Sequence, residues 1–210
     1  MKLLTIFTGG TIGCLQGDNY GLDVNEDTAN MLTSRYRKSR EDNVEFVTKS
    51  PFFNLSESRT PAELSKLVKC VEDNLKKAHD GVLITHGTDT MPFAASAIAY
   101  ALAHLEVPIV LTGANYPIDD RRSNGFRNFT SAVDFIKATK ENAPKRGVYV
   151  VYENNYDRRT LVHLGTRLLE AEAFNDEFSS LGGVYFGEMI DGKFHRHQNR
   201  INPSPAEIKV

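Results

Sequence analysis

The chain has 210 residues, enough for one sizeable core and hardly enough for two. With 25 basic against 27 acidic side chains its formal net charge is -2, which argues against a nucleic-acid partner. The two cysteines, Cys14 and Cys70, have neither metal-site spacing nor a disulfide framework, and no apolar run is long enough to span a bilayer. Met1-Lys2 leads straight into Leu3-Leu4-Thr5-Ile6-Phe7, too short for a signal segment, so the expectation is a cytoplasmic protein without a membrane or nucleic-acid partner.

Residues 2–7 form a short apolar run closed by glycines, the pattern of a buried first strand. Residues 13–23 carry three glycines and no periodicity and read as a mobile loop. The basic run Arg35-Tyr36-Arg37-Lys38, like Arg121-Arg122 further on, reads as a solvated loop or helix face. Residues 44–47 suit a second strand. Thr60-Pro61-Ala62-Glu63 is a helix start with a capping box and proline at the first helical position, followed by Leu64, Leu67, Val68, Val71 and Leu75 at helical spacing. A strand over 81–85, an apolar helix over 91–105, a strand over 108–111, a helix over 128–139 and a strand over 147–152 follow. Segments 184–186 and 193–195, joined across Asp191-Gly192, suggest an antiparallel hairpin. The alternation predicts an α/β fold: an open, mostly parallel sheet with helices on both faces, a three-layer sandwich of the flavodoxin or Rossmann kind, plus a C-terminal β-hairpin. One domain over 1–200 and a tail over 201–210 are expected.

Two Thr/Gly clusters sit at the C-terminal ends of predicted strands, where an open α/β sheet forms its ligand crevice. Thr8-Gly9-Gly10-Thr11 lacks the spacing of a dinucleotide or phosphate loop and does not enter a helix, so it reads as a plain turn or as glycines bringing backbone and hydroxyls close to a ligand. In His86-Gly87-Thr88-Asp89-Thr90, Thr88 or Asp89 can cap the following helix, and His86 taken alone is a structural residue. Strand ends of one sheet converge, which favours a shared site. His195 and His197 find no third ligand and read as a solvated tail.

Thr8-Gly9-Gly10-Thr11-Ile12-Gly13 and His86-Gly87-Thr88-Asp89-Thr90-Met91 resemble the two signature motifs of the bacterial-type L-asparaginase family. Thr112-Gly113-Ala114, then Arg122-Ser123-Asn124-Gly125 and Asn128, resemble the stretch that follows there, with Asn124 where Asp is usual. Ser56-Glu57 before Thr60-Pro61 resembles its substrate-contacting segment. The resemblance covers residues 3–195, the larger N-terminal domain of that family. It implies an amidohydrolase that cleaves the side-chain amide of asparagine, with glutamine as the alternative, and uses no metal or organic cofactor. Thr11 is then the nucleophile, assisted by Tyr20 on a lid loop, and Thr88 positions or activates the attacking hydroxyl or water. Asp89 binds the substrate amino group and completes a Thr-Lys-Asp relay. Ser56 and Glu57 hold the α-carboxylate and amino ends, and Gly87 and Ala114 complete the substrate contacts. The implied partner is a small amino-acid amide, met by a homodimer or higher homo-oligomer.

Two departures accompany the resemblance. No lysine occurs between Lys145 and Lys193, where the family's relay lysine falls; His163 or Arg167 stands in that region, and His163 is the candidate replacement base. Members of the family continue into a smaller C-terminal domain, and this sequence ends near Pro203, where the linker to it is expected to begin, so it reads either as a one-domain member or as a fragment of a longer protein. The rival reading is an impaired asparaginase-like protein that binds an amino acid or a partner subunit.

Overall fold

The computed structural model describes residues 1–17, 22–25, 27–141, 146–172, 175 and 177–197. Strand β1 (Lys2–Phe7) is buried along all but its first residue, as expected of a parallel strand covered on both faces. It pairs in parallel with β4 (Glu45–Lys49) on one side and β5 (Gly81–Thr85) on the other. Beyond β5 come β6 (Pro108–Thr112) and β7 (Gly147–Glu153), also parallel. Antiparallel strands β8 (Thr160–Leu164), β9 (Gly187–Ile190) and β10 (Lys193–Arg196) complete an eight-stranded sheet in the order β10-β9-β8-β7-β6-β5-β1-β4. The final hairpin turns through Asp191 and Gly192, both at positive φ, and its first strand lies a few residues later than the segment 184–186 expected for it.

Among the described residues, four helices cover the sheet. Helix α1 (Asp27–Ser39) and α4 (Gly125–Ala138) pack on one face, where Tyr36 and Phe129 meet Phe7 and Phe46. Helix α2 (Pro61–Asn74) and α3 (Met91–Ala101) pack on the other through Leu67, Val71, Met91 and Ile98 against Ile6, Ile84 and Leu111. The capping box of α2 is formed as its sequence predicts: the Thr60 side chain accepts from the Glu63 amide and the Glu63 side chain accepts from the Thr60 amide. Of the segment 13–23 expected to be a mobile loop, residues 18–21 lie outside the described residues; the described ends belong to a 3₁₀ turn (Thr11–Gly13) and a small antiparallel pair, β2 (Cys14–Gln16) with β3 (Leu22–Val24). Neither α1 nor β8 is among the elements the sequence predicts.

The order of connections places the site. From β1 the chain crosses to β4, then returns past β1 to β5, so the strand order reverses between β1 and β5. That topological switch opens a crevice at the carboxyl ends of these two strands. The next two connections both step the same way along the sheet, yet α3 and α4 lie on opposite faces. The α4 crossover therefore has the opposite hand from the α3 crossover, a departure from a rule obeyed in about 98% of parallel crossovers. The loop over 113–124 accordingly lies on the α1 side, against β2. There the Ile118 amide donates to the Cys14 carbonyl (3.2 Å), and the Gln16 amide donates to the Asp119 carboxylate (3.0 and 3.2 Å).

Candidate active site

Three chain segments meet at the switch point with almost no side chains between them. Gly9 (φ 88°) and Gly10 (φ 72°) take backbone conformations that a side chain resists, and Gly9 bridges to Asn54 as a short continuation of the parallel pairing. The Gly10 amide donates to the Asn54 carbonyl at 2.9 Å. A Cβ on Gly10 would overlap the Gly87 backbone, and one on Gly87 would overlap the Ser56 side chain. The Thr11 turn, the Ser56 turn and the Gly87 turn are thus packed backbone to backbone.

Within this contact the buried Ser56 hydroxyl, 1% exposed, donates to Asp89 Oδ2 at 2.8 Å. Thr90, not Thr88 or Asp89, occupies the N-cap of α3, and no side chain caps that position. The Thr90 hydroxyl donates instead to the Ser56 carbonyl at 3.3 Å. The helix-capping explanation of the Thr88-Asp89 pair therefore fails, and Asp89 remains exposed while engaged with Ser56. Thr88 is 5% exposed, and its methyl lies 3.5 Å from where a Gly113 Cβ would stand, which brings Gly113 beside it; Ala114, the next residue, is buried. Glu57 is exposed on the turn Ser56–Ser58.

Hydroxyls at this rim divide into two sets. Thr8 Oγ1 donates to the Thr85 carbonyl (2.9 Å) and Thr112 Oγ1 to the Val151 carbonyl (2.8 Å), tying neighbouring strands. The hydroxyls of the half-buried Thr11 and of Thr88 have no hydrogen-bond partner among the described residues. His86 is fully buried; its Nδ1–H donates to the Gly87 carbonyl at 2.8 Å. Burial pushes its pKa down to about 4, so it holds the turn as a neutral ring.

His163 is not in this group. It lies mid-strand on β8 opposite Val150, with β7 and β6 between it and β5, and is fully buried. At the usual ~4.8 Å between strands that is about 14 Å across the sheet. Its Nδ1 pairs with Ser180 Oγ at 2.8 Å, and burial lowers its pKa to about 3. The expectation that His163 stands at the site in place of a lysine is therefore corrected: its environment makes it a neutral core residue. Arg167 binds the Leu181 carbonyl at 2.9 Å. Tyr20 lies outside the described residues, as does the tail over 201–210. Asn54 and Arg59 join the site unannounced by any motif: Arg59 donates to Asn54 Oδ1 (2.7 Å) and to the Thr8 carbonyl (3.3 Å).

A family model described as the asparaginase N-terminal domain matches residues 2–202. The chain belongs to the asparaginase family. Among curated relatives of this asparaginase N-terminal domain, a glutamyl-tRNA(Gln) amidotransferase subunit of Haloquadratum walsbyi is 34% identical over 137 residues, covering 64% of this chain and 30% of that protein. The L-asparaginase of Thermococcus kodakarensis is 30% identical over 170 residues, covering 80% of this chain and 47% of that protein. The solved structure of the thermostable L-asparaginase from the same organism superposes with a TM-score of 0.77 at 24% identity, covering 99% of this chain and 59% of that one, a likeness of fold. The asparaginase domain described here thus spans about half or less of the length of these two curated relatives. Among its described residues, no helix is long and apolar enough to cross a membrane.

Proposed function

We infer that this chain hydrolyses the side-chain amide of asparagine, with glutamine as the alternative substrate, through the hydroxyl of Thr11. The observation that carries the reading is the contrast among the rim threonines: Thr8 and Thr112 are tied into the sheet, whereas Thr11 and Thr88 present hydroxyls with no partner among the described residues. Thr11 Oγ attacks the amide carbon, and the carbonyl electron pair moves onto oxygen. Collapse of that adduct breaks the C–N bond, and the nitrogen leaves as ammonia with the hydroxyl proton. Water then cleaves the threonyl ester, releasing aspartate and restoring Thr11. Thr88 and Asp89 carry the proton between the hydroxyl and the leaving nitrogen. Backbone N–H groups of the glycine turns, apart from that of Gly10, which is already bonded to the Asn54 carbonyl, stabilise the oxyanion. Asp89 and Ser56 hold the substrate's amino and carboxylate ends, Glu57 sits beside them, and Gly87 and Ala114 line the floor. Tyr20 assists Thr11.

The test is ammonia release from asparagine and from glutamine by the purified chain, with Thr11→Ala as control. The reading expects saturable release that disappears in the variant. A second reading, an amino-acid binder without turnover, is favoured by one observation: His163, the candidate base, is sequestered in the sheet. Saturable aspartate binding with no ammonia release selects it.

A further inference from the structure

We propose that Arg59 is the positioning residue that locks the Thr11 turn to the Ser56–Asp89 pair, an inference that takes its catalytic meaning from the function proposed above. The guanidinium is half-buried and stacks on Phe52, 4.3 Å from the ring centre. From there its planar fork reaches acceptors on two different segments, Asn54 Oδ1 at 2.7 Å and the Thr8 carbonyl at 3.3 Å. Asn54 is held from its other end as well, because its Nδ2 donates to Glu63 Oε1 at 2.6 Å, and Glu63 is itself fixed by the α2 capping box. The Asn54 backbone then clamps the glycine turn on both sides, donating to the Thr8 carbonyl (3.3 Å) and accepting from the Gly10 amide (2.9 Å). On the opposite side the Arg59 amide closes the Ser56 turn by donating to the Ser56 carbonyl at 3.0 Å. One residue thus joins the segment that aims Thr11 to the segment that aims Ser56 at Asp89. Ile12, buried in the core, anchors the far side of the Thr11 turn, whereas Gly9 and Gly10 bring no side chains to its near side, and there the tie comes from Asn54 and Arg59. Lysine, a point donor on a flexible stem, brings neither the fixed fork nor the flat face that stacks on Phe52.

The experiment compares wild type with Arg59→Met and Arg59→Lys by amide hydrogen exchange and by steady-state hydrolysis of asparagine. In both variants the Gly10 amide exchanges about 10-fold faster or more, while Val82, Leu83 and Ile84 in β5 keep wild-type rates. Turnover falls about 10–100-fold in kcat and KM rises as well, because the Thr11 turn and the Ser56–Asp89 pair both lose their alignment, and lysine does not rescue either. Unchanged Gly10 protection in Arg59→Met, full rescue by lysine, or equal acceleration in β5 overturns the proposal. A wild-type chain that releases no ammonia defeats the proposed reaction and leaves the exchange result to decide the role of Arg59.

Discussion

The carboxyl ends of β1 and β5 and those of β6 and β7 are both rich in polar side chains, yet they are built on opposite principles. At β6 and β7 the side chains satisfy one another. Asn124 and Asn115 exchange side-chain and backbone bonds, and Asn124 Nδ2 donates to the Glu153 carbonyl. Asn128 bridges the Gly113 carbonyl and the Glu153 amide. The Glu153 carboxylate takes a bidentate pair from Arg127 and a third contact from Arg158. At β1 and β5, glycines bring three backbones together, and the hydroxyls of Thr11 and Thr88 are left without partners among the described residues. Residue type alone therefore does not separate the two rims; their hydrogen bonding does. The side chains of the first are bonded to one another, and the proposed function rests on the second.

Thr11→Ala breaks the comparison hardest. Loss of the proposed nucleophile lowers ammonia release from asparagine by about 10³-fold or more, with the thermal midpoint unchanged. Gly87→Ala comes next, since its Cβ would collide with Ser56. It costs about 1–3 kcal/mol in urea unfolding and weakens aspartate binding measured by calorimetry. Ser56→Ala removes the 2.8 Å bond to Asp89 and raises KM about 10-fold at similar kcat. His163→Asn, by contrast, leaves the rate of ammonia release within about 2-fold, because the ring is sealed against Ser180.

The two buried histidines also make stability depend on pH. His163 and His86 are held neutral by burial, with pKa values of about 3 and about 4 against 6.5 for a free ring. Their lowered values mean the unfolded chain binds more protons than the folded one below pH 6.5. The associated stability is complete above that pH and is lost as pH falls toward 4, by up to about 1.4 kcal/mol per unit for each ring. Urea unfolding from pH 7 to 4.5 should show this slope, and His163→Asn should make it shallower. Equal slopes in the two proteins would contradict it.

Much of the frame is legible in the sequence because the central strands are short unbroken apolar runs and Thr60-Pro61-Ala62-Glu63 spells its own cap. Helix α1 is not, since its buried face is carried by Thr28, Leu32, Thr33 and Tyr36, half of it threonine. Strands β2 and β3 are three residues each, too short for a period to register, and the glycines around them read as a loop. At the site, the two Thr/Gly clusters are readable as motifs at strand ends. Ser56 joins them only through the family resemblance of Ser56-Glu57, because the meeting itself depends on the strand order reversing at β1, which no local pattern encodes. His163 misleads for the complementary reason: its chemistry suits a base, and only the register of β8 shows that it points into the core.

The most direct test maps the covalent intermediate. Acid-quenched turnover with asparagine, followed by peptide mass mapping, should find an aspartyl ester on Thr11, with none in the Thr11→Ala protein. Steady ammonia release with Thr11 unmodified, or with the ester on Thr88, would contradict the assignment.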